Sequence, residues 1–132
     1  MALDRAFGRA YMRHDWAGLR ECLADVLVLR DHRLLGFGVL PRDEWIASLE
    51  AQRALAPDVR SESLRILTWG RHGRVEVVRN FGTMPDGGGP FENVFVRVVV
   101  TDGDRIRHYE VFDVGDADQA VARFEELCAR LA

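Results

Sequence analysis

The residues whose types and spacing suit acid–base chemistry fall on two predicted strands. His108 and Glu110 stand two residues apart in the run 105–113, so strand alternation predicts that both point to the same side. The same alternation predicts one shared face for Ile106, His108, Glu110 and Phe112. Asp31 ends an earlier apolar run, 26–31. A carboxylate that loses hydration in a cavity has a raised pKa and can accept a proton from a C–H next to a carbonyl, while a nearby imidazole acts as the acid or orients the base.

A purely structural interpretation of the same residues is ion pairing. Arginines stand close to each of them: Arg105 and Arg107 near His108 and Glu110, Arg30 and Arg33 near Asp31. Structural ion-pair networks also perturb carboxylates, so the residues alone leave both interpretations open.

Three helices and one strand are predicted in the first part of the chain. Apolar residues at three- and four-residue spacing predict a first helix over 3–12. Asp15 is the expected N-cap of a short second helix, and Pro41 is the expected first residue of a third helix with Trp45 facing inward. The strand over 26–31 lies between the second and third helices, and 36–38 reads as a flexible connection.

Four β-rich runs follow, over 61–69, 74–82, 91–101 and 105–113. Turn-forming residues join them, which predicts an antiparallel meander in which Arg74 faces solvent. Asp116 and Gln119 have capping-box spacing and begin a last apolar-striped helix. This order predicts one α+β domain over 1–132, in which a curved sheet wraps the N-terminal helices and a helix closes the C-terminus.

Two segments carry a family resemblance. Residues 23–31, LADVLVLRD, are similar to the pattern F-A-D-D-V-V-V-H-D, and DGDRI followed by HYEVFD over 102–113 is similar to a D-G-K-I turn and a W-R-D-Y-F-D strand. The chain thereby resembles the nuclear transport factor two-like superfamily over nearly its whole length. That superfamily includes ketosteroid isomerases, limonene-epoxide hydrolases and SnoaL-like polyketide cyclases. The resemblance implies a cone-shaped sheet around one mostly apolar pocket.

The resemblance also implies which residues meet in that pocket. The position of Asp31 carries the general base in the isomerases, and that of Glu110 carries a catalytic carboxylate in the epoxide hydrolases. Asp31, His108 and Glu110 are therefore expected in one cavity as its catalytic group.

Other positions depart from the enzyme patterns. Phe7 stands where the isomerases have an oxyanion-stabilising tyrosine, and Val96 stands roughly where they have a neutral carboxylic acid. Val94 and Val96 replace an Arg and Asp pair of the epoxide hydrolases, and Leu29 replaces their tyrosine. The pocket is expected to be more apolar than in those enzymes and to be lined by Phe7, Leu29, Trp45, Val94, Val96, Val98 and Phe112.

Composition excludes several function classes. All 18 basic residues are arginine, so lysine Schiff-base chemistry is excluded. The basic residues are scattered and the net charge is −3, which does not suit nucleic acid. No apolar run has the length of a membrane span and no signal peptide is recognisable, so we expect no membrane partner and a cytoplasmic location.

Metal and cofactor sites are not expected. The histidines lack metal-ligand spacing, and Cys22 and Cys128 read as two small buried residues in helices. The Gly87–Gly89 run joins two strands, so it is a hairpin turn and not a phosphate loop.

Three functions stay open at this point. The first is binding of a small hydrophobic molecule, as in accessory or sensory domains of bacterial regulators; the Arg- and Ala-rich composition is consistent with a bacterial, high-GC genome. The second is a cofactor-independent isomerase, cyclase, lyase or epoxide hydrolase that uses Asp31 with His108 and Glu110. The third is a structural dimerisation module. A homodimer is expected in any case, through an outer sheet face formed by Phe95, Val99, Tyr109 and Val111.

Overall fold

The computed structural model describes residues 2–131, with side chains from residue 5 onward, so the two ends of the predicted domain, Met1 and Ala132, lie outside it. The helices are α1 (Ala2–Met12), α2 (Trp16–Glu21), α3 (Arg42–Leu55) and α4 (Ala117–Ala129). The strands are β1 (Val28–Asp31), β2 (Gly38–Pro41), β3 (Arg60–Gly70), β4 (Gly73–Thr83), β5 (Pro90–Asp102) and β6 (Arg105–Phe112). The α+β class and the order of the predicted elements are confirmed.

The six strands form one curved sheet in the order β2-β1-β6-β5-β4-β3. Strands β3 to β6 are the predicted antiparallel meander. Strand β1 joins this meander in parallel, with Asp31 opposite Val111, and β2 continues the sheet as an antiparallel edge. The segment 38–41 is therefore a strand, although the sequence predicted a flexible connection up to Gly38 and a helix from Pro41.

Helices cover both faces of the sheet, and we name the faces by those helices. The inner face packs against α1, α2 and α3, and its sheet residues in this core are Leu29, Val78, Phe95, Val99, Ile106, Tyr109 and Val111. The outer face packs against α4, through Val75, Val96, Val98, Val100 and Phe112. Burial of these two apolar layers is the main source of stability.

Local residues explain where the helices begin. Asp15 caps α2 as predicted, because its carboxylate accepts a 2.9 Å hydrogen bond from the backbone N–H of Gly18. Pro41 ends β2 and is the N-cap of α3. The first helical residue is therefore Arg42, one residue later than predicted. Asp116 is the N-cap of α4, but its side chain makes no capping hydrogen bond.

A β-bulge in β6 interrupts the predicted alternation of its side chains. Val100 pairs with His108 and the next residue of β5, Thr101, pairs with Ile106, so Arg107 is an extra residue without a partner on β5. Ile106 therefore packs on the inner face together with Tyr109, although the two are three residues apart. The prediction that Ile106 and Phe112 share a face with Glu110 is wrong for Ile106, because strict alternation does not hold across the bulge.

The surface predicted for a homodimer is buried inside the protein. Phe95, Val99, Tyr109 and Val111 all belong to the inner core. They leave no apolar patch on the outside, so a dimer would need other residues. Among the described residues, no helix is apolar and long enough to span a membrane.

Candidate functional site

A cavity lies between the inner face of the sheet and helices α1 and α3. Its deep part has a volume of about 270 Å³ and aromatic walls formed by Phe7, Tyr11, Trp45, Phe95 and Tyr109. The ring centroids of Trp45 and Tyr109 are 4.6 Å apart, and those of Phe7 and Trp45 are 5.8 Å apart in a stacked arrangement. The rings of Phe7, Trp45 and Tyr109 thus pack against one another and form an aromatic wall of the cavity.

The deep cavity has a wider neighbour, a vestibule of about 690 Å³. The two share wall residues of α3 and of the sheet, including Trp45, Gln52 and Tyr109, so they lie side by side. Leu34 and Leu35 border the vestibule and are 91% and 97% exposed. The vestibule thus combines exposed leucines with the charged groups of Asp31, Arg33 and Asp113.

The floor of the deep cavity is polar and charged. Glu76 is 0% exposed, and its carboxylate pairs with two guanidinium groups. Arg97 Nε donates to Glu76 Oε1 at 2.6 Å, and Arg74 Nε lies 2.8 Å from Glu76 Oε2. Ser63 Oγ donates to the same carboxylate at 3.3 Å. A buried carboxylate is stable only when it is paired and hydrogen-bonded in this way.

Tyr109 connects this charged cluster to the aromatic walls. Arg97 Nη1 donates to the Tyr109 hydroxyl oxygen at 3.3 Å, and the Arg97 guanidinium lies 5.9 Å from the centre of the Tyr109 ring. Both residues line the deep cavity. The cavity therefore combines aromatic walls with a charged floor.

Asp31 lies at the vestibule, on the inner face, as the sequence predicted for a pocket residue. Its carboxylate accepts hydrogen bonds from Arg33 Nε at 2.9 Å and Arg33 Nη2 at 2.8 Å, and from the backbone N–H groups of Arg33 and Phe37. A Cβ added to Gly36 would collide with this carboxylate. Asp31 thus holds the loop from Arg33 to Phe37, and the ion pair expected in the structural interpretation is present.

The hydrogen bonds also set the protonation state of Asp31. Burial alone would raise the pKa of this carboxyl, but the bonds from Arg33 and from the Phe37 and Arg33 backbone outweigh burial and hold the pKa below its ordinary value. A carboxylate stabilised in this way is a weak proton acceptor. Its role as a general base stays a prediction that this geometry does not favour.

We expect Asp31→Asn to lower the stability of the protein by about 1 to 2 kcal/mol at pH 7, because the charged hydrogen bonds to Arg33 are lost. Since the folded-state pKa of Asp31 is lowered, its contribution is complete above about pH 4 and disappears as the pH falls through the folded-state value. Thermal unfolding measured from pH 7 to pH 3 should show that the difference in melting temperature between the wild type and Asp31→Asn becomes smaller as the pH falls. Asp104→Asn, in the exposed β5–β6 turn, is the control, and an equal shift in both variants would contradict the anchoring role of Asp31.

Glu110 and His108 lie on the outer face and do not meet Asp31. Glu110 is 1% exposed beneath α4, where Arg123 Nε donates to both of its oxygens at 3.0 and 3.1 Å. His32 Nε2 lies 2.7 Å from Glu110 Oε1. The expected grouping of Asp31, His108 and Glu110 in one cavity is therefore corrected, because neighbouring strand positions point to opposite sides of the sheet.

His108 has surroundings of its own on this outer face. Burial lowers its pKa, and the nearby negative charge of Glu110 opposes that effect. The outer cluster of Glu110, Arg123 and His32 links α4 to the strand end beside the vestibule, and it has no access to the inner cavity.

The residues predicted to line the pocket also divide between the inner and outer faces of the sheet. Phe7, Leu29 and Trp45 do line the deep cavity or the vestibule. Val96, Val98 and Phe112 instead pack beneath α4, and Val94 precedes them on the same side of β5. Sequence reasoning placed these four inside because it took the wrong phase for β5 and β6.

The charged floor of the cavity was not predicted from the sequence. Arg74 was expected to face solvent, but it pairs with the buried Glu76. One signal was available: Glu76 and Arg97 carry opposite charges in the middle of two valine-rich strands, and they are register partners. A charge of each sign inside adjacent apolar strands indicates a buried pair facing a cavity.

The sequence matches no family model and no curated protein. Solved structures do match. Wild-type IdmH of Streptomyces antibioticus, a candidate polyketide cyclase, superposes with a TM-score of 0.71 and 18% identity over 92% of this chain and 96% of its own. A protein from Burkholderia pseudomallei described as ntf2-like has a TM-score of 0.67 and 20% identity over 92% of this chain and 94% of its own. The chain has the nuclear transport factor two-like fold.

Differently named proteins share the nuclear transport factor two-like fold. A further match is an epoxide hydrolase of the limonene-epoxide hydrolase type from M. tuberculosis, with a TM-score of 0.66 and 18% identity over 93% of this chain and 84% of its own. The fold predicted from the sequence is thus confirmed. At these identities the likeness establishes the nuclear transport factor two-like fold and leaves function to the site.

Proposed function

We propose that this protein binds a small, mostly apolar molecule in its inner cavity. The observation that carries the proposal is the cavity of about 270 Å³ with aromatic walls that include Phe7, Trp45 and Phe95, which lies beside the vestibule. Ligand sites are typically concave and mostly apolar, with a few convergent polar groups. This cavity has those properties, with aromatic walls and the charged groups of Glu76 and Arg97 at its floor.

Binding is favoured over acid–base catalysis by the state of Asp31. A general base needs a pKa near the working pH, whereas Arg33 holds Asp31 in its charged form. The enzyme alternative makes a clear prediction of its own: Asp31→Asn would keep ligand affinity and lower turnover by about 10² to 10⁴. A role as an accessory or sensory domain belongs to the same proposal, since such a domain would respond to the bound molecule.

Blocking the entrance is expected to abolish binding. Gln52 borders both parts of the cavity from α3 and is itself exposed, so Gln52→Trp should fill the passage without disturbing the core. We expect native mass spectrometry to detect a retained small molecule in the wild type and not in this variant.

The matched control is Ala51→Trp, which places the same side chain on the exposed neighbouring position of α3. Calorimetric titration with 1-tetralone, a two-ring ketone, provides the affinity in each protein. A loss of at least about tenfold in Gln52→Trp alone supports the proposal. Equal affinity in both variants places binding elsewhere and contradicts it.

Homodimerisation and a cytoplasmic location remain predictions. A dimer would use exposed apolar residues, and edge strand β3 carries three of them, Leu64, Ile66 and Trp69. Sedimentation equilibrium at micromolar concentration tests the prediction, and a monomer under those conditions contradicts it.

A further inference from the structure

We infer that Asn80 and Gln52 determine the polar specificity of the cavity, with Asn80 as a hydrogen-bond donor and Gln52 as an acceptor. The ligand they select carries a neutral group that both accepts and donates, such as a hydroxyl or an amide. The inference rests on the proposed binding function. Asn80 on β4 and Gln52 on α3 both belong to the wall that the deep cavity shares with the vestibule.

The amide of Asn80 is oriented by a serine on edge strand β3. Ser61 Oγ donates to Asn80 Oδ1 at 2.6 Å, and the two residues are register partners. The carbonyl end of this amide is therefore engaged, while its nitrogen, with two protons, has no hydrogen-bond partner among the described residues. Asn80 is half-buried in the cavity wall, so an oxygen atom of a ligand can replace water on this nitrogen.

The amide of Gln52 is oriented in the opposite sense. Gln52 Nε2 donates to Ser48 Oγ, one helical turn earlier on α3, at 3.0 Å. Its nitrogen is therefore engaged, and its carbonyl oxygen is the end that bonds to no other residue in the part of the chain that the structure describes. Gln52 thus offers the cavity an acceptor where Asn80 offers a donor.

These two side chains together require a group with both hydrogen-bonding functions. A carbonyl or ether oxygen satisfies Asn80 but leaves the oxygen of Gln52 without a donor. A hydroxyl or an amide satisfies both, because it carries an acceptor oxygen and a proton to donate. An ionised group would instead have to compete with the ion pairs already formed at the cavity floor and at Asp31.

Three naphthalenes of matched size provide the test. Naphthalen-2-ylmethanol both donates and accepts, 2-naphthaldehyde only accepts, and 2-ethylnaphthalene does neither; the chain has no lysine with which the aldehyde could react. In calorimetric titrations the wild type should bind the alcohol about fivefold more tightly than the aldehyde, and the aldehyde about fivefold more tightly than 2-ethylnaphthalene. Gln52→Met should abolish the first preference, and Asn80→Leu should abolish the second. 2-Naphthamide tests the amide in the same way, and the tighter binder of the alcohol and the amide identifies the group.

The matched controls carry the same new side chains at neighbouring positions. Ala51→Met lies on the exposed side of α3, and Asn93→Leu lies opposite Asn80 on β5, outside the wall of the deep cavity. Both controls should keep the two preferences. Ser61→Ala retains Asn80 but frees its amide to turn, so it should weaken the preference for the aldehyde over 2-ethylnaphthalene, and Ser61→Thr should retain that preference.

The failure of this inference is distinguishable from the failure of the proposed function. Equal affinity of the wild type for all three naphthalenes would overturn the inference and leave the binding function standing. The same holds if Asn93→Leu loses the preference for the aldehyde as completely as Asn80→Leu does. Failure of all three compounds to bind would contradict the proposed function itself.

Discussion

Val96→Asp should lower the free energy of unfolding by about 3 to 5 kcal/mol, a large part of the total for a domain of this size. Val96 is fully buried on the outer face, where it packs with Phe112 beneath α4. A carboxylate at this position would lose its hydration without gaining a counterion or a hydrogen-bond donor. Chemical denaturation monitored by circular dichroism measures the loss.

The matched control is Val39→Asp. Val39 lies on edge strand β2 and is exposed, so the same substitution keeps its hydration there. We expect a change of less than about 0.5 kcal/mol. If the two variants unfold at the same denaturant concentration, Val96 does not lie in a closed core and the assignment of the outer face is wrong.

Glu76→Gln should cost about 3 kcal/mol, because it leaves Arg97 and Arg74 without their shared countercharge in a mostly buried site. The glutamine keeps the size of the side chain and some hydrogen bonds, so the change reports mainly on charge. Equilibrium unfolding at low and high salt measures it, and a buried cluster should respond weakly to salt.

A surface pair on the neighbouring strand provides the comparison for Glu76. Glu92 is exposed and accepts a 2.5 Å hydrogen bond from Arg79 Nε. Glu92→Gln should cost less than about 1 kcal/mol, and the cost should fall with added salt. Similar costs and salt dependence at both positions would mean that water reaches the cavity floor and that Glu76 is not part of a dry binding site.

The sequence predicts the elements of this protein well because their patterns are local. Helical spacing, the Asp15 cap and the turn residues between β3, β4, β5 and β6 depend only on neighbouring residues. Strand β2 is missed because it is four residues long, begins at a glycine with φ of +72° and ends at a proline. Its strand conformation depends on pairing with β1, which no local pattern records.

The candidate site is predicted less well. Arg107 is the extra residue of the bulge, and no feature of the sequence distinguishes it from a regular outward-facing arginine. The resemblance to the epoxide hydrolases implied that Glu110 lies in the cavity and Tyr109 outside it, whereas the structure has the reverse. Asp31, Phe7, Leu29 and Trp45 do line the deep cavity or the vestibule, whereas Val96 and Val98, which also precede the bulge, lie on the outer face.

The pairing of β1 with β6 has a consequence for how the chain acquires its structure during synthesis. Leu29 pairs with Tyr109, a partner that leaves the ribosome 80 residues later. The meander can form from local hairpins, but the first helices and β1 have no sheet to dock on until β6 is made. Closing such a long loop is slow, so we expect the binding cavity to be the last part to fold and the nascent N-terminal segment to need protection from aggregation until then.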